Sequence, residues 1–339
     1  MRYLILFITF QSIAFLSNAK VNIPETSFSE YNFNSNECKL IQHYNSRIFV
    51  PSNSFYLDGK LYDGEVYLKY REFIDQLDIV LNNIPMGYEE NGNKHILESG
   101  GMFELYAYGN GKMLSFAPNK KITVQLPKKF YLPGGETFLL DRKSNTWKKK
   151  TPFASTPESN KIPSDNMVDY WGDVAWENLN SFYRSDSIYI TDPVAGSQTL
   201  QITNYMKEGN PYYSINVDTM DFYNCDRLLK EDLVPIIADF KLDGYSQKFD
   251  SYVFVVYKNR NAVMTFYPSQ FLKEFKLLKD EDFTIFSYSS NGKIAVVDNV
   301  FLANFKVKDY ADKKVVFPMK VFPNAPSSKA ELAAITGLN

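Results

Sequence analysis

Two of the residue types most useful for catalysis are scarce: the chain has two histidines, His43 and His95, and two cysteines, Cys38 and Cys225. A thiol beside an imidazole base is a natural nucleophile. However, Cys225 is followed by Asp226, and neither histidine lies in a recognisable catalytic setting. Cys38 and His43, five positions apart, offer two ligands of a metal site that needs about four. Glu89-Glu90 and Asp280-Glu281-Asp282 sit in polar, turn-like stretches and read as solvated acidic loops. Glycoside chemistry would need two carboxyls held about 5 to 10 Å apart across a cleft. Asp239-Phe240-Lys241-Leu242-Asp243-Gly244 lacks the middle acidic positions of a calcium loop. No residue qualifies as catalytic, and no metal or other cofactor is expected.

Aromatic residues are the more promising chemistry. They make up 16% of the chain, chiefly 27 Phe and 24 Tyr, which favours half-buried pleated surfaces. Trp147, Tyr170, Trp171, Trp176 and Tyr183 could form a platform that stacks on sugar rings. Burial of the same tryptophans between two sandwiches is the alternative. A formal net charge of -2 provides no field for binding nucleic acid.

The first nineteen residues indicate the compartment. Arg2 precedes an apolar run from Tyr3 to Leu16, and Ser17-Asn18-Ala19 supplies the small-x-small pattern of a cleavage site. The run is shorter than the roughly 20 residues a membrane span needs, no cysteine near the cut offers a lipid anchor, and no later stretch is apolar enough to cross a bilayer. The expectation is an exported protein, periplasmic or at the cell surface, cut after Ala19. Export permits a disulfide between Cys38 and Cys225. On chain entropy alone a bridge closing roughly 190 residues would add about 5 kcal/mol. Two separate buried thiols are an equally good reading.

The elements that must position these residues are mostly strands. Arg47 to Val50 is stopped by Pro51, and Glu65 to Phe73 alternates, with Val66, Leu68 and Tyr70 opposite Glu65, Lys69 and Arg71. Ile74 to Ile84 is compatible with a short helical turn or an irregular strand, and Glu89 to Lys94 reads as a polar loop around Asn91-Gly92. Gly100-Gly101 predicts a bulge or a close backbone approach. Met102 to Tyr108 and Lys112 to Phe116 flank Gly109-Asn110-Gly111, a strong hairpin signal, and Ile122 to Pro127 closes the unit. A second hairpin is expected around Asn291-Gly292. Val253-Phe254-Val255-Val256 is continuously apolar, as in a strand covered on both faces. Ser328 and Glu331 form a capping box, with Gly337 as a helix stop.

Arg47-Ile-Phe-Val-Pro-Ser-Asn-Ser-Phe55, Gly64-Glu-Val66, Leu97 to Leu105 and Lys120 to Pro127 resemble a ZU5-type β-sandwich. The chain is also similar to uncharacterised secreted bacterial envelope proteins with an E-x-G-G-M motif in such a domain and an N-C-D-R motif further on. These are matched here by Glu98 to Met102 and Asn224-Cys225-Asp226-Arg227. The resemblance covers about a third of the chain and implies fold and surface context. The self-cleavage coupled to some ZU5 domains requires a His-Phe-Ser step that does not occur here.

The reading is therefore all-β: two antiparallel β-sandwich domains, the first ZU5-like, with a short C-terminal helix. The expected divisions are a signal peptide over 1–19, the ZU5-like sandwich over 20–128, an extension and linker over 129–165, a second sandwich over 166–310 and a C-terminal segment over 311–339. The expected role is non-catalytic: binding an envelope or cell-surface protein, with glycan binding as the alternative and a hydrolase third.

Overall fold

Asp58-Gly59, Asn91-Gly92 and Asn110-Gly111 each place two consecutive residues at positive φ, the backbone a two-residue hairpin needs to match the right-handed twist of its strands. The computed structural model describes residues 23, 25–129, 132, 134–152, 188–190, 198–200, 212–229, 231–243, 251–288 and 293–338. The chain begins with β1 (Ser29–Asn34), β2 (Lys39–His43), β3 (Ser46–Val50), β4 (Phe55–Leu57), β5 (Lys60–Leu61) and β6 (Glu65–Phe73). After helix α1 (Gln76–Leu81) come β7 (Gly87–Glu90), β8 (Asn93–Gly109), β9 (Lys112–Met113) and β10 (Ser115–Phe116). Next are β11 (Ile122–Pro127), β12 (Glu136–Asp141), β13 (Thr146–Pro152), β14 (Ile188–Ile190), β15 (Gln198–Leu200), β16 (Tyr212–Val217) and β17 (Phe222–Leu228).

A second run of strands follows: β18 (Leu233–Pro235), β19 (Ile237–Leu242), β20 (Val253–Tyr257), β21 (Val263–Phe266), β22 (Lys276–Leu278), β23 (Phe283–Tyr288) and β24 (Ile294–Val297). Helix α2 (Asn299–Asn304), β25 (Lys314–Phe322) and helix α3 (Lys329–Thr336) complete the chain. The all-β architecture is as expected, with a short C-terminal helix. No helix among the described residues is long and apolar enough to cross a membrane.

Three layers of strands stack on one another. The large sheet runs β1-β6-β8-β17-β12-β13, with β7 and β9 also paired to β8. Its inner face carries Val66, Leu68 and Tyr70 from β6, with Phe103, Leu105 and Tyr223 beside them. These pack against Ile41, Ile48, Val124 and Ile215 of the four-stranded sheet β16-β11-β3-β2. The opposite face of the large sheet presents Phe73, Met102, Phe138 and Phe222 to Phe254, Val256, Phe286 and Val296. The latter belong to the six-stranded sheet β19-β25-β24-β23-β20-β21, antiparallel except where β19 runs parallel to β25. Its far face, with Val253, Val255, Phe317 and Met319, lies under the β18–β22 ribbon and α2. The four apolar residues Val253 to Val256 thus point alternately into two cores, as their pattern predicts.

The expected division at residue 166 does not separate the sheets. Strand β16 pairs with β11 in the four-stranded sheet, and β17 sits between β8 and β12 in the large one. Residues 212–228 therefore complete the first unit, not the second. Of Glu89 to Lys94, expected as a loop, only Asn91-Gly92 is a turn; Glu89 and Glu90 of β7 pair with Lys94 and Asn93 of β8. The hairpin expected around Asn291-Gly292 is formed by β23 and β24, with Tyr288 opposite Ile294; its turn, residues 289–292, lies outside the described residues.

Ile74 to Ile84 resolves as a helix because Asp75 caps it. Its carboxylate accepts from the Asp78 amide at 3.1 Å while the Asp78 carboxylate accepts from the Asp75 amide at 3.3 Å, a reciprocal cap. Helix α3 is capped by Ser328, whose Oγ accepts from the Glu331 amide at 3.2 Å; the Glu331 carboxylate turns to the Ser327 amide, at 2.7 Å. It stops at Gly337, at φ 67°. So short a helix needs docking: Leu332 is buried between the sheets, Ile335 packs beside it, and Lys329 reaches Asp75 and Asp78 of α1.

Candidate functional site

Glu98 to Met102 and Asn224 to Arg227 lie side by side. On β8 and β17, Met102 pairs with Asn224, Ser99 with Asp226 and Glu98 with Arg227. Three residues of β8 therefore advance against two of β17, so Gly100 and Gly101 bulge opposite Cys225. A Cβ on Gly100 would stand 2.8 Å from the Tyr213 ring and 3.1 Å from the Cys225 carbonyl oxygen, and Gly101 holds φ at +131°. Both readings of the glycine pair, bulge and close approach, are realised.

The bulge turns polar side chains toward the six-stranded sheet. The Ser99 hydroxyl lies 3.0 Å from Asn224 Oδ1, and Asn224 Nδ2 donates to Asp226 Oδ2 at 2.5 Å. The Ser99 amide donates to the Asn261 carbonyl at 2.9 Å. Asp226 is fully buried with one oxygen unbonded. Burial, aggravated by nearby Glu98, pushes its carboxyl well above the usual carboxylate range, and burial likewise raises the Cys225 thiol. A fully buried acid cannot meet a substrate.

Beside this cluster runs a chain of charges. Arg227 grips Glu98 at 2.6 Å and Glu231 at 3.0 Å, while Arg260 holds Glu231 at 2.6 Å and Glu281 at 2.7 Å. Arg260 and Glu281 come from the second run of strands, so this network clamps the two units together. Glu281, from the acidic triplet noted in the sequence, is thus paired.

His43 heads a second buried group. The Tyr31 hydroxyl meets its Nδ1 at 2.7 Å, and its Nε2 faces Glu72 at 3.9 Å. The Glu72 carboxylate accepts from Ser46 at 2.6 Å and Tyr70 at 3.0 Å. Burial raises Glu72 to about 7 and lowers His43, so both are mainly or partly neutral near pH 7. Tyr31 and Glu72 come from the large sheet, His43 and Ser46 from the four-stranded one. Since His43, Ser46 and Tyr70 are buried, the group pins the sheets and offers no reacting atom to a substrate.

Among the exposed apolar residues, two share a cross-strand row on the large sheet. Tyr67, Tyr108 and Met113 stand in one cross-strand row over β6, β8 and β9, on the face opposite the inner core. Lys69 lies 5.9 Å over the Tyr108 ring. Tyr67 and Met113 are 40% and 58% exposed, adjoining apolar surface of the kind that marks interaction sites. The sequence carried one sign of it: Tyr67 shares the polar face of Glu65, Lys69 and Arg71.

The predicted aromatic platform is not assembled from the described residues. Trp147 is 3% exposed, packs edge-on against Phe222 and donates from its indole to the Pro85 carbonyl at 2.5 Å. It presents no face to solvent, because Phe222 and Pro85 close over it. Tyr170, Trp171, Trp176 and Tyr183 lie outside the described residues. The Cys38–Cys225 bridge is not formed: Cys225 is buried on the inner face of β17, and Cys38, half-buried, accepts from the Ser52 amide at 3.3 Å. Among the described residues no three His, Cys, Asp or Glu side chains are grouped to hold a metal ion. Comparison with family models, curated proteins and solved structures found no match.

Proposed function

We propose that this is a non-catalytic, exported protein of the cell envelope that binds another protein through the exposed end of its large sheet. The observation that carries this reading is the row Tyr67–Tyr108–Met113 on outward positions of the large sheet, beside the charged Glu65 and Lys69. Tyrosine and methionine are enriched at protein interfaces, and a rigid phenol ring is a frequent anchor of binding energy. The exposed, flexible thioether side chain of Met113 favours a protein partner over a sugar. Catalysis fits poorly with the chemistry in place, since Glu72, His43 and Asp226 lie inside the fold.

The ZU5-like reading of residues 20–128 belongs to the same proposal. Its quoted segments fall on β3, β6, β8 and β11, which face one another across a single core. Export rests on residues 1–19. The test is affinity capture from the source organism's envelope fraction, with the mature chain and a Tyr67→Ala/Met113→Ser variant as parallel baits. A defined protein retained by the wild type and lost by the variant is expected. Equal recovery on both baits would remove the proposal.

A further inference from the structure

The outer face of the four-stranded sheet has a chemistry unlike that of the large sheet. Gln42, Arg47, Gln125 and Ser214 form one cross-strand row over β2, β3, β11 and β16. Phe49 stands in the next row, opposite Thr123. Arg47 is the one charge on the outward positions of these four strands, whereas the large sheet's outer face carries Glu65, Lys69, Arg71 and Glu104. Solvent-facing sheet positions usually carry charge of both signs. Here amides and hydroxyls replace it.

Two details of this row point to a ligand. Gln125 Nε2 donates to the Ser214 hydroxyl at 3.3 Å, which leaves Gln125 Oε1 without a donor although the residue is only 8% exposed. A buried acceptor left unmet carries the full cost of its lost hydration. The Arg47 guanidinium crosses β11 to lie 4.6 Å over the Tyr212 ring, so a movable side chain spans the strand that carries Gln125. Swinging it aside would open a hydrogen-bonding strip flanked by the Phe49 ring.

We propose that this face is a binding site for an uncharged oligosaccharide. A sugar hydroxyl would donate to Gln125 Oε1, neighbouring hydroxyls would accept from Arg47 and from the second Nε2–H of Gln42, whose first is given to the Tyr44 carbonyl at 2.6 Å, and a pyranose C–H face would pack on Phe49. Near-neutrality suits an uncharged chain of hydroxyls, because a polyanion would find one guanidinium and a polycation no carboxylate. The site is separate from the Tyr67–Met113 row, which lies on the other sheet.

Isothermal titration of the full chain with glucose, mannose, galactose and N-acetylglucosamine hexasaccharides tests the assignment, with polygalacturonate as the charged control. At least one uncharged hexasaccharide binds, Gln125→Leu weakens it tenfold or more while leaving thermal stability equal or higher, Arg47→Ala also weakens it, and Tyr67→Ala leaves it unchanged. The assignment is overturned if no uncharged hexasaccharide binds, if polygalacturonate alone binds, or if binding survives both Gln125→Leu and Arg47→Ala.

Discussion

Arg227 stands directly opposite Glu98, its Nη2 2.6 Å from Glu98 Oε2, and this pair joins strands whose positions differ by more than a hundred residues. Glu98 is nearly buried, so removing its partner leaves a carboxylate without adequate solvation. Breaking a pair of this kind typically costs about 3–5 kcal/mol. Since Arg260 also approaches Glu98, at 3.4 Å, Arg227→Ala should lower the unfolding free energy by about 3 kcal/mol. Glu98→Gln combined with Arg227→Met should recover part of the loss. Urea unfolding of the wild type and the two variants checks the order.

Gly100 and Gly111 should respond differently to alanine. At Gly100 the new methyl meets the Tyr213 ring and the Cys225 backbone, whereas at Gly111 nothing lies within 4 Å and only the positive φ opposes it. Overpacking costs about 1–3 kcal/mol, and left-handed backbone about 1–2 kcal/mol for a non-glycine residue. Gly100→Ala should therefore be the more damaging, with the larger drop in melting temperature. Equal drops would mean that the bulge yields easily.

Glu72 gives a defined pH dependence. Its folded value, about 7, lies above the ordinary 4.5, so the folded state keeps a proton that the unfolded chain releases. The associated stability is complete below pH 4.5 and is lost as pH rises through 7, by about 3 kcal/mol at most. His43 acts in the opposite sense, since burial lowers it; its stabilisation is present above pH 6.5 and lost as pH falls. The difference in unfolding free energy between wild type and Glu72→Gln isolates the first effect. It should shift against the wild type between pH 4.5 and pH 8.

How much could be read from the sequence follows from how local each feature is. Asn110-Gly111 predicts its turn because both residues must take positive φ, and Val253 to Val256 predicts its two cores because alternate side chains face opposite ways. The pairing of β16 and β17 with strands before residue 142 leaves no local trace, since β-pairing is decided by distant partners. The same distance hid the Glu98–Arg227 contact, even though both motifs were visible. Helix α1 stayed ambiguous because its cap is an Asp-x-x-Asp pair, whereas the more familiar signature ends in Glu or Gln. Tyr67 was readable in principle, as a large ring on a charged face.

The thiols and Trp147 yield a further prediction. Intact mass measured without reductant should correspond to two free cysteines, and under native conditions Cys38 should react with a thiol reagent well before Cys225. Trp147→Ala should cost about 3–5 kcal/mol, the usual range for emptying a buried tryptophan site. A mass lower by two hydrogens would contradict the free thiols.

The proposed binding face is tested most directly by a photo-crosslinking amino acid placed at Met113 and, separately, at the equally exposed Leu272, with irradiation in living cells. The row of Tyr67, Tyr108 and Met113 predicts one discrete adduct with a different protein from position 113, none from position 272, and loss of the adduct in Tyr67→Ala. The same adducts from both positions, or none from position 113, would contradict it.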